Sequence, residues 1–72
     1  MIIGEVNEMK VISSQLEFIE DKFGEDVDMN LGYYISEDYI ATKIYGENAC
    51  MVMSYMNYDG TKVKHEIHMG GE

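Results

Sequence analysis

The clearest structural signal in the chain comes from residues 39–69, which read YIATKIYGENACMVMSYMNYDGTKVKHEIHM. Apolar and polar side chains alternate here with a period of two, which is typical of β-strands that bury one face. Asp59-Gly60 is a strong two-residue hairpin signal, and residues 46–48 suit a three-residue hairpin in which Asn48 adopts the left-handed conformation. The pattern therefore predicts three strands joined by two hairpins.

A third and weaker turn signal, Glu37-Asp38, precedes this region. It is weak because neither residue favours a positive φ as glycine does. If it forms a turn, the sheet has four strands; if it does not, the first two strands merge into one bent strand and the sheet has three. The predicted strands lie near residues 31–36, 39–45, 49–58 and 61–69.

The three turns agree on which residues share a face of the sheet. The last hairpin pairs Ser54 with His65, the middle hairpin pairs Ile40 with Ser54, and the weak turn pairs Tyr33 with Thr42. A slip of one residue would exchange the two faces of a strand, so this agreement favours an antiparallel meander. The face predicted to be buried carries Leu31, Tyr33, Ile35, Ile40, Thr42, Ile44, Cys50, Val52, Ser54, Met56, Val63, Ile67 and Met69.

The first third of the chain predicts an amphipathic helix over about residues 5–23. Its apolar residues recur at spacings of three and four, and at about 100° per residue they fall on one stripe. Gly24 follows at the position of a left-handed helix C-cap. Val11 and Phe18 lie beside the stripe and are expected to widen the buried face, the alternative being a contact with another subunit. The stripe consists of Met9, Ile12, Leu16, Ile19 and Phe23.

Together these elements predict one α+β domain over residues 1–72, with the N-terminal helix packed on one face of a three- or four-stranded antiparallel meander. A chain of 72 residues has little core, and small domains usually gain stability from disulfides, a metal or a partner subunit. Cys50 is the single cysteine, which excludes an internal disulfide. Cys50, His65 and His68 are too few for a four-ligand zinc site. A partner subunit is the remaining option.

The face of the sheet opposite the helix is predicted to carry an apolar and aromatic patch. One helix cannot cover both faces, and exposed patches rich in Tyr and Met are typical of interfaces. We therefore expect a homodimer through this patch, the alternative being that the tyrosine rings lie flat and shield the sheet. The patch consists of Tyr34, Tyr39, Met51, Met53 and Tyr55.

The charge balance narrows the classes of partner. Lys and Arg number 5 and Asp and Glu 14, which gives a formal net charge of −9. This charge argues against direct binding of nucleic acid phosphates or anionic lipid, and no apolar run is long enough to span a membrane. Six acids surround the predicted helix C-terminus, where the macrodipole disfavours carboxylates, with Lys22 as the one base among them. They are Glu17, Glu20, Asp21, Glu25, Asp26 and Asp28.

Because these acids oppose local stability, we expect them to dock on a basic surface of a protein partner. The alternative is a solvated acidic face that only keeps the protein soluble. A metal site has weak support, since Asp26, Asp28 and Asn30 match the start of a calcium loop and Glu37 is at position twelve, but Gly32 is at the seventh position instead of the sixth and no exiting helix is predicted. Cys50 is expected to be a buried inert thiol, and no serine has the context of a nucleophile elbow. No catalytic residue, cofactor or metal is predicted.

The sequence thus favours a small non-catalytic binding or inhibitor protein, with the carboxylates imitating nucleic acid phosphates in the basic cleft of a nucleic-acid enzyme. The alternative is a small homo-oligomeric protein that binds or sequesters a ligand in a tyrosine-lined interface pocket. The chain lacks Arg, Pro and Trp, which is common in AT-rich genes such as those of phages. With one unpaired cysteine and no apolar leader, a cytoplasmic location is expected.

Overall fold

The structure, a computed structural model, describes residues 4–47, 49–56 and 62–69, with residues 4–6 described by their backbone alone. The strands form one antiparallel sheet in the order β1-β2-β3-β4, and the helix α1 packs on one face. The predicted α+β fold is confirmed, and the weak turn forms, so the sheet has four strands. The elements are α1 Gly4–Phe23, β1 Met29–Ile35, β2 Ile40–Ile44, β3 Cys50–Met56 and β4 Val63–Met69.

The register of β2, β3 and β4 is the predicted one. Ile40 pairs with Ser54 across β2 and β3, and Ser54 pairs with His65 across β3 and β4. Side chains of β3 alternate between buried and half-buried along its whole length. The helix-facing side of the two central strands is therefore the core. The predicted turn residues Asn48 and Asp59-Gly60 lie outside the described residues.

Strand β1 departs from the predicted register because it contains a bulge. Asn30 pairs with Lys43 and Tyr34 with Ala41, so residues 31–33 stand opposite a single residue of β2. Gly32 lies inside the bulge with a φ of +70°, a conformation that favours glycine. The predicted pairing of Tyr33 with Thr42 is therefore wrong. Tyr33 is exposed, with its ring 5.8 Å from the Lys43 Nζ.

The helix is rotated relative to its predicted orientation. The fully buried residues of α1 are Val11, Gln15 and Ile19, whereas Met9 of the predicted stripe is 65% exposed. At 100° per residue the buried face is turned by about 80° from the centre of the apolar stripe. The expectation that Val11 and Phe18 belong to the buried side is confirmed, since both pack in the core.

The core has two clusters under the two halves of α1. Near its start, Val11 packs against Ile40 and Met56; near its end, Ile19 packs against Ile44 and Val52. The helix ends where predicted.

Gly24 has a φ of +97°, and its N–H donates to the Glu20 carbonyl at 3.0 Å, which forms the left-handed C-cap. The cap turns the chain back along the helix. Within the described residues, no helix has the apolar length needed to cross a membrane.

Candidate functional site

A shallow groove of about 650 Å³ runs between the second half of α1 and the edge strand β4. Its floor combines the rings of Phe18 and His65, which stack with centroids 4.6 Å apart. Four carboxylates also line the groove. The lining residues are Ser14, Glu17, Phe18, Glu20, Asp21, Glu25 and His65.

Four of the six acids predicted to bind a partner line this groove. Glu17 and Asp21 are four residues apart on one side of α1, and Glu25 follows the Gly24 cap, beyond the last helical residue Phe23. Glu20 completes the set of lining acids. All four are exposed, and none of them takes part in an ion pair formed within the described parts of the chain.

The other two predicted acids, Asp26 and Asp28, are exposed in the connection to β1 and are not part of the groove. The backbone carbonyl of Asp28 accepts a hydrogen bond from the Tyr45 N–H at 2.8 Å, which anchors the start of β1. Asn30 of the partial calcium pattern lies in β1 opposite Lys43. Over residues 4–47, 49–56 and 62–69, no group of three or more His, Cys, Asp or Glu is arranged to hold a metal ion.

A buried polar network lies directly behind the groove, and sequence reasoning missed its central residue, Gln15. The two hydrogens of the Gln15 side-chain nitrogen are shared among three acceptors, the Ile40 carbonyl at 2.8 Å, the Ser54 Oγ at 2.9 Å and the Val52 carbonyl at 3.2 Å. The Thr42 hydroxyl donates to the Gln15 Oε1. Backbone carbonyls can only accept hydrogen bonds. The end of the Gln15 amide that contacts the Ile40 and Val52 carbonyls must therefore be its nitrogen.

The network continues from Ser54 to the groove through His65. The Ser54 Oγ is 2.6 Å from the His65 Nδ1, and the Ser14 Oγ is 3.0 Å from the His65 Nε2. Burial lowers the pKa of His65, which favours the neutral ring. A neutral imidazole has one donor and one acceptor nitrogen, so His65 donates to one of the two serines and accepts from the other.

The predicted placement of His65 beside Ser54 is confirmed. Cys50 is buried, as predicted, and burial raises the pKa of its thiol, which keeps it protonated.

The opposite face of the sheet carries the predicted aromatic patch. Tyr34 stacks on Tyr39 at 5.5 Å, and Tyr39 meets Tyr55 edge-on at 6.4 Å. Of the five patch residues, Tyr34 is exposed, and Tyr39, Met51, Met53 and Tyr55 are half-buried. Ala41 of the same face is only 1% exposed, so the patch shields part of the sheet by itself.

The Tyr55 hydroxyl donates to the Glu66 carboxylate. Burial of the ring, together with this bond and the negative charge of Glu66, raises the pKa of Tyr55 to about 12. The hydrogen bond from Tyr55 lowers the pKa of Glu66 in turn. The Lys64 Nζ lies 3.4 Å from the Glu66 carboxylate and forms an ion pair with it. On this face Glu66 therefore interacts with both Tyr55 of β3 and Lys64 of β4.

No family model, curated protein or solved structure matches this chain. Its function must therefore be argued from the groove and its surroundings.

Proposed function

We propose that this protein is a non-catalytic binding protein whose groove between α1 and β4 receives basic side chains of a protein partner. The observation that carries the proposal is the set of four exposed carboxylates on one groove, without an ion-pair partner among the described residues. Glu17 and Asp21 are about one helical turn apart, and Glu25 follows directly after the helix cap. A chain with net charge −9 would also attract a basic surface from a distance.

The groove suits the two parts of a Lys or Arg side chain. The stacked rings of Phe18 and His65 offer apolar surface for the methylene stem. The carboxylates of Glu17 and Asp21 line the same groove and would bind the charged end. The negative end of the α1 macrodipole adds to the attraction. Arginine would gain most, because its planar guanidinium binds carboxylates through two hydrogen bonds.

The partner class is a protein with a dense basic surface, of which the cleft of a nucleic-acid enzyme is one example. The groove carboxylates would occupy positions that phosphates take in such a cleft. Occupation of the cleft would make this protein an inhibitor. The charge of these carboxylates supports this class of partner.

The test measures binding of a fluorescent octa-arginine peptide by anisotropy at low and high salt. The groove variant Glu17→Gln, Asp21→Asn, Glu25→Gln removes three charges along the helix. The matched control removes three exposed charges from the strand connections by Glu37→Gln, Asp38→Asn and Glu47→Gln. Both variants have the same net charge. A difference in their affinity for the peptide therefore reports the contribution of the groove carboxylates and not that of the overall charge.

We expect the groove variant to bind the peptide about tenfold more weakly, since three exposed ion pairs contribute about 0.5 kcal/mol each. The control should change binding by less than about threefold, and added salt should weaken wild-type binding most. Equal losses in the two variants would show that only the net charge matters, and the groove would then have no specific role.

A further inference from the structure

The two edges of the sheet differ in how well they are protected. At one edge, β1 carries the bulge around Gly32, and bulges disturb the ladder that a further strand would need. At the other edge, β4 pairs with β3 without interruption over all seven residues of Val63–Met69. Within the described chain, β4 has β3 on one side and no strand on the other.

An uninterrupted edge strand presents backbone groups for further pairing. Every second residue of β4 points its N–H and C=O away from β3. The strand also leaves apolar side chains uncovered on the helix side of the sheet, where Ile67 is 39% and Met69 68% exposed. Both lie opposite buried residues of β3, Val52 and Cys50. The edge therefore offers both hydrogen-bonding groups and apolar surface.

The acidic groove opens at this same edge. His65 of β4 lines it together with Glu17 and Asp21 of the helix and Glu25 after the helix cap. A strand added beside β4 would direct alternate side chains toward the helix side of the sheet, into or next to the groove. Basic side chains at those positions would meet the carboxylates.

On the premise that the groove binds a basic partner, we propose that β4 is a docking edge that takes an extended basic segment of that partner as a fifth strand. Main-chain hydrogen bonds to β4 supply affinity, as in other cases of strand addition. Alternate Lys or Arg side chains of the segment reach the groove acids. The methylene stems of these same side chains lie against Ile67 and Met69.

Charge complementarity favours a basic segment over a second copy of this chain. A second β4 would present Val63, His65, Ile67 and Met69 to the groove side, and burial keeps His65 neutral near pH 7. No residue of that set would balance the carboxylates. Pairing two β4 edges would also bring two acidic helix flanks toward each other across the symmetry axis, where they would repel.

The experiment uses the full chain and a seven-residue synthetic peptide of alternating lysine and valine, the length of β4. A second peptide has the same side chains with every backbone nitrogen methylated, so it keeps the charges and loses all its N–H donors. Binding of each is measured by anisotropy. Hydrogen exchange of the protein amides, followed by NMR, locates the contact.

Two protein variants locate the edge independently. Ile67→Lys places a positive charge on the helix side of β4, and Ile35→Lys places the same charge on the corresponding side of β1. Ile35 is a matched control because it is also an exposed isoleucine of an edge strand, opposite the buried Ile40. Neither substitution removes a groove carboxylate.

We expect the unmethylated peptide to bind at least about tenfold more tightly than the methylated one, and to slow amide exchange in β4. Ile67→Lys should weaken its binding about tenfold, and Ile35→Lys by less than about twofold. Equal binding of both peptides would overturn strand addition and leave the acidic groove as the binding site. Protection of β1 in place of β4 would also overturn it.

Two further outcomes are decisive. Protection of β4 amides without peptide, together with a dimer in sedimentation, would show that a second copy occupies the edge. Absence of binding by either peptide at low salt would refute both strand addition and the basic partner. Failure of the docking edge is therefore distinguishable from failure of the proposed function.

Discussion

Replacement of Gln15 by methionine tests whether the buried network determines how the helix sits on the sheet. Methionine keeps the length and volume of the side chain and removes its amide. The Thr42 hydroxyl then loses its acceptor, and the Ser54 Oγ loses the N–H that it accepts. Thr42 and Ser54 are both fully buried, so water cannot replace the lost partner without a rearrangement.

The expected loss follows from these two groups. An unsatisfied buried polar group costs about 1–3 kcal/mol, and partial relaxation at one of the two sites gives a total of about 2–4 kcal/mol. A chain of 72 residues is expected to have a free energy of unfolding of about 4–11 kcal/mol. Gln15→Met should therefore remove a large fraction of the stability, measured by urea unfolding followed by circular dichroism.

A double variant makes the reasoning refutable. Adding Thr42→Val to Gln15→Met removes the orphaned hydroxyl and keeps the bond between Ser54 and His65, so it should recover part of the loss, with a coupling of about 0.5–3 kcal/mol. The exposed Lys10→Met on the same helix is the control and should change stability by less than about 0.5 kcal/mol. A Gln15→Met protein as stable as wild type, or strictly additive losses in the double variant, would refute the structural role of the network.

Three other predictions concern pH, the acidic groove and the outer sheet face. Burial lowers the pKa of His65, so its contribution to stability is present above the unfolded pKa of about 6.5 and is lost as the pH falls below it; urea midpoints from pH 7.5 to 5.5 should fall less for His65→Gln than for wild type. Reversal of Glu20, Asp21 and Glu25 to Lys should leave the melting temperature unchanged or raise it, because each reversal near the helix C-terminus changes the free energy of unfolding by up to about 1 kcal/mol in the stabilising direction; a clear loss would make these acids structural. If the outer face mediates a homodimer, Met53→Lys should give a monomer in sedimentation, and a wild-type protein that is monomeric at high micromolar concentration would contradict that dimer.

The register of the sheet was predictable where the side-chain period is unbroken. In β2, β3 and β4 each turn separately placed the same residues on one face, and the pairing of Ser54 with His65 follows from that face. The prediction failed in β1 because the bulge at Gly32 adds residues to one strand only. A glycine inside a predicted strand is a recognised sign of a bulge, but the sign gives neither its size nor its direction.

The helix shows a different limit of sequence reasoning. Its period was predictable, but its orientation was not, because Gln15 resembles a surface residue when only the helix is considered. Its partners Ile40, Thr42 and Ser54 lie 25 to 39 residues away along the chain. A signal was nevertheless present. Thr42 and Ser54 fall on the face predicted to be buried, and buried hydroxyls need partners. Gln15, between Val11 and Ile19 at spacings of four, is the helix residue placed to supply them.

The orientation of the helix also decides where the acids lie. If the centre of the apolar stripe faced the sheet, Phe18 would point about 140° away from it and Asp21 about 160° away, into open solvent. With Gln15 at the centre, Phe18 lies about 60° from the direction of the sheet, where it stacks on His65, and Asp21 about 120°, on the flank above β4. This rotation leaves Met9 exposed, and it also forms the groove between α1 and β4. A buried amide that has no contact with the groove thus brings the carboxylates to the one sheet edge, among the described strands, that has no bulge. Variants that disturb Gln15 should therefore weaken binding of basic peptides even though every groove carboxylate remains in place.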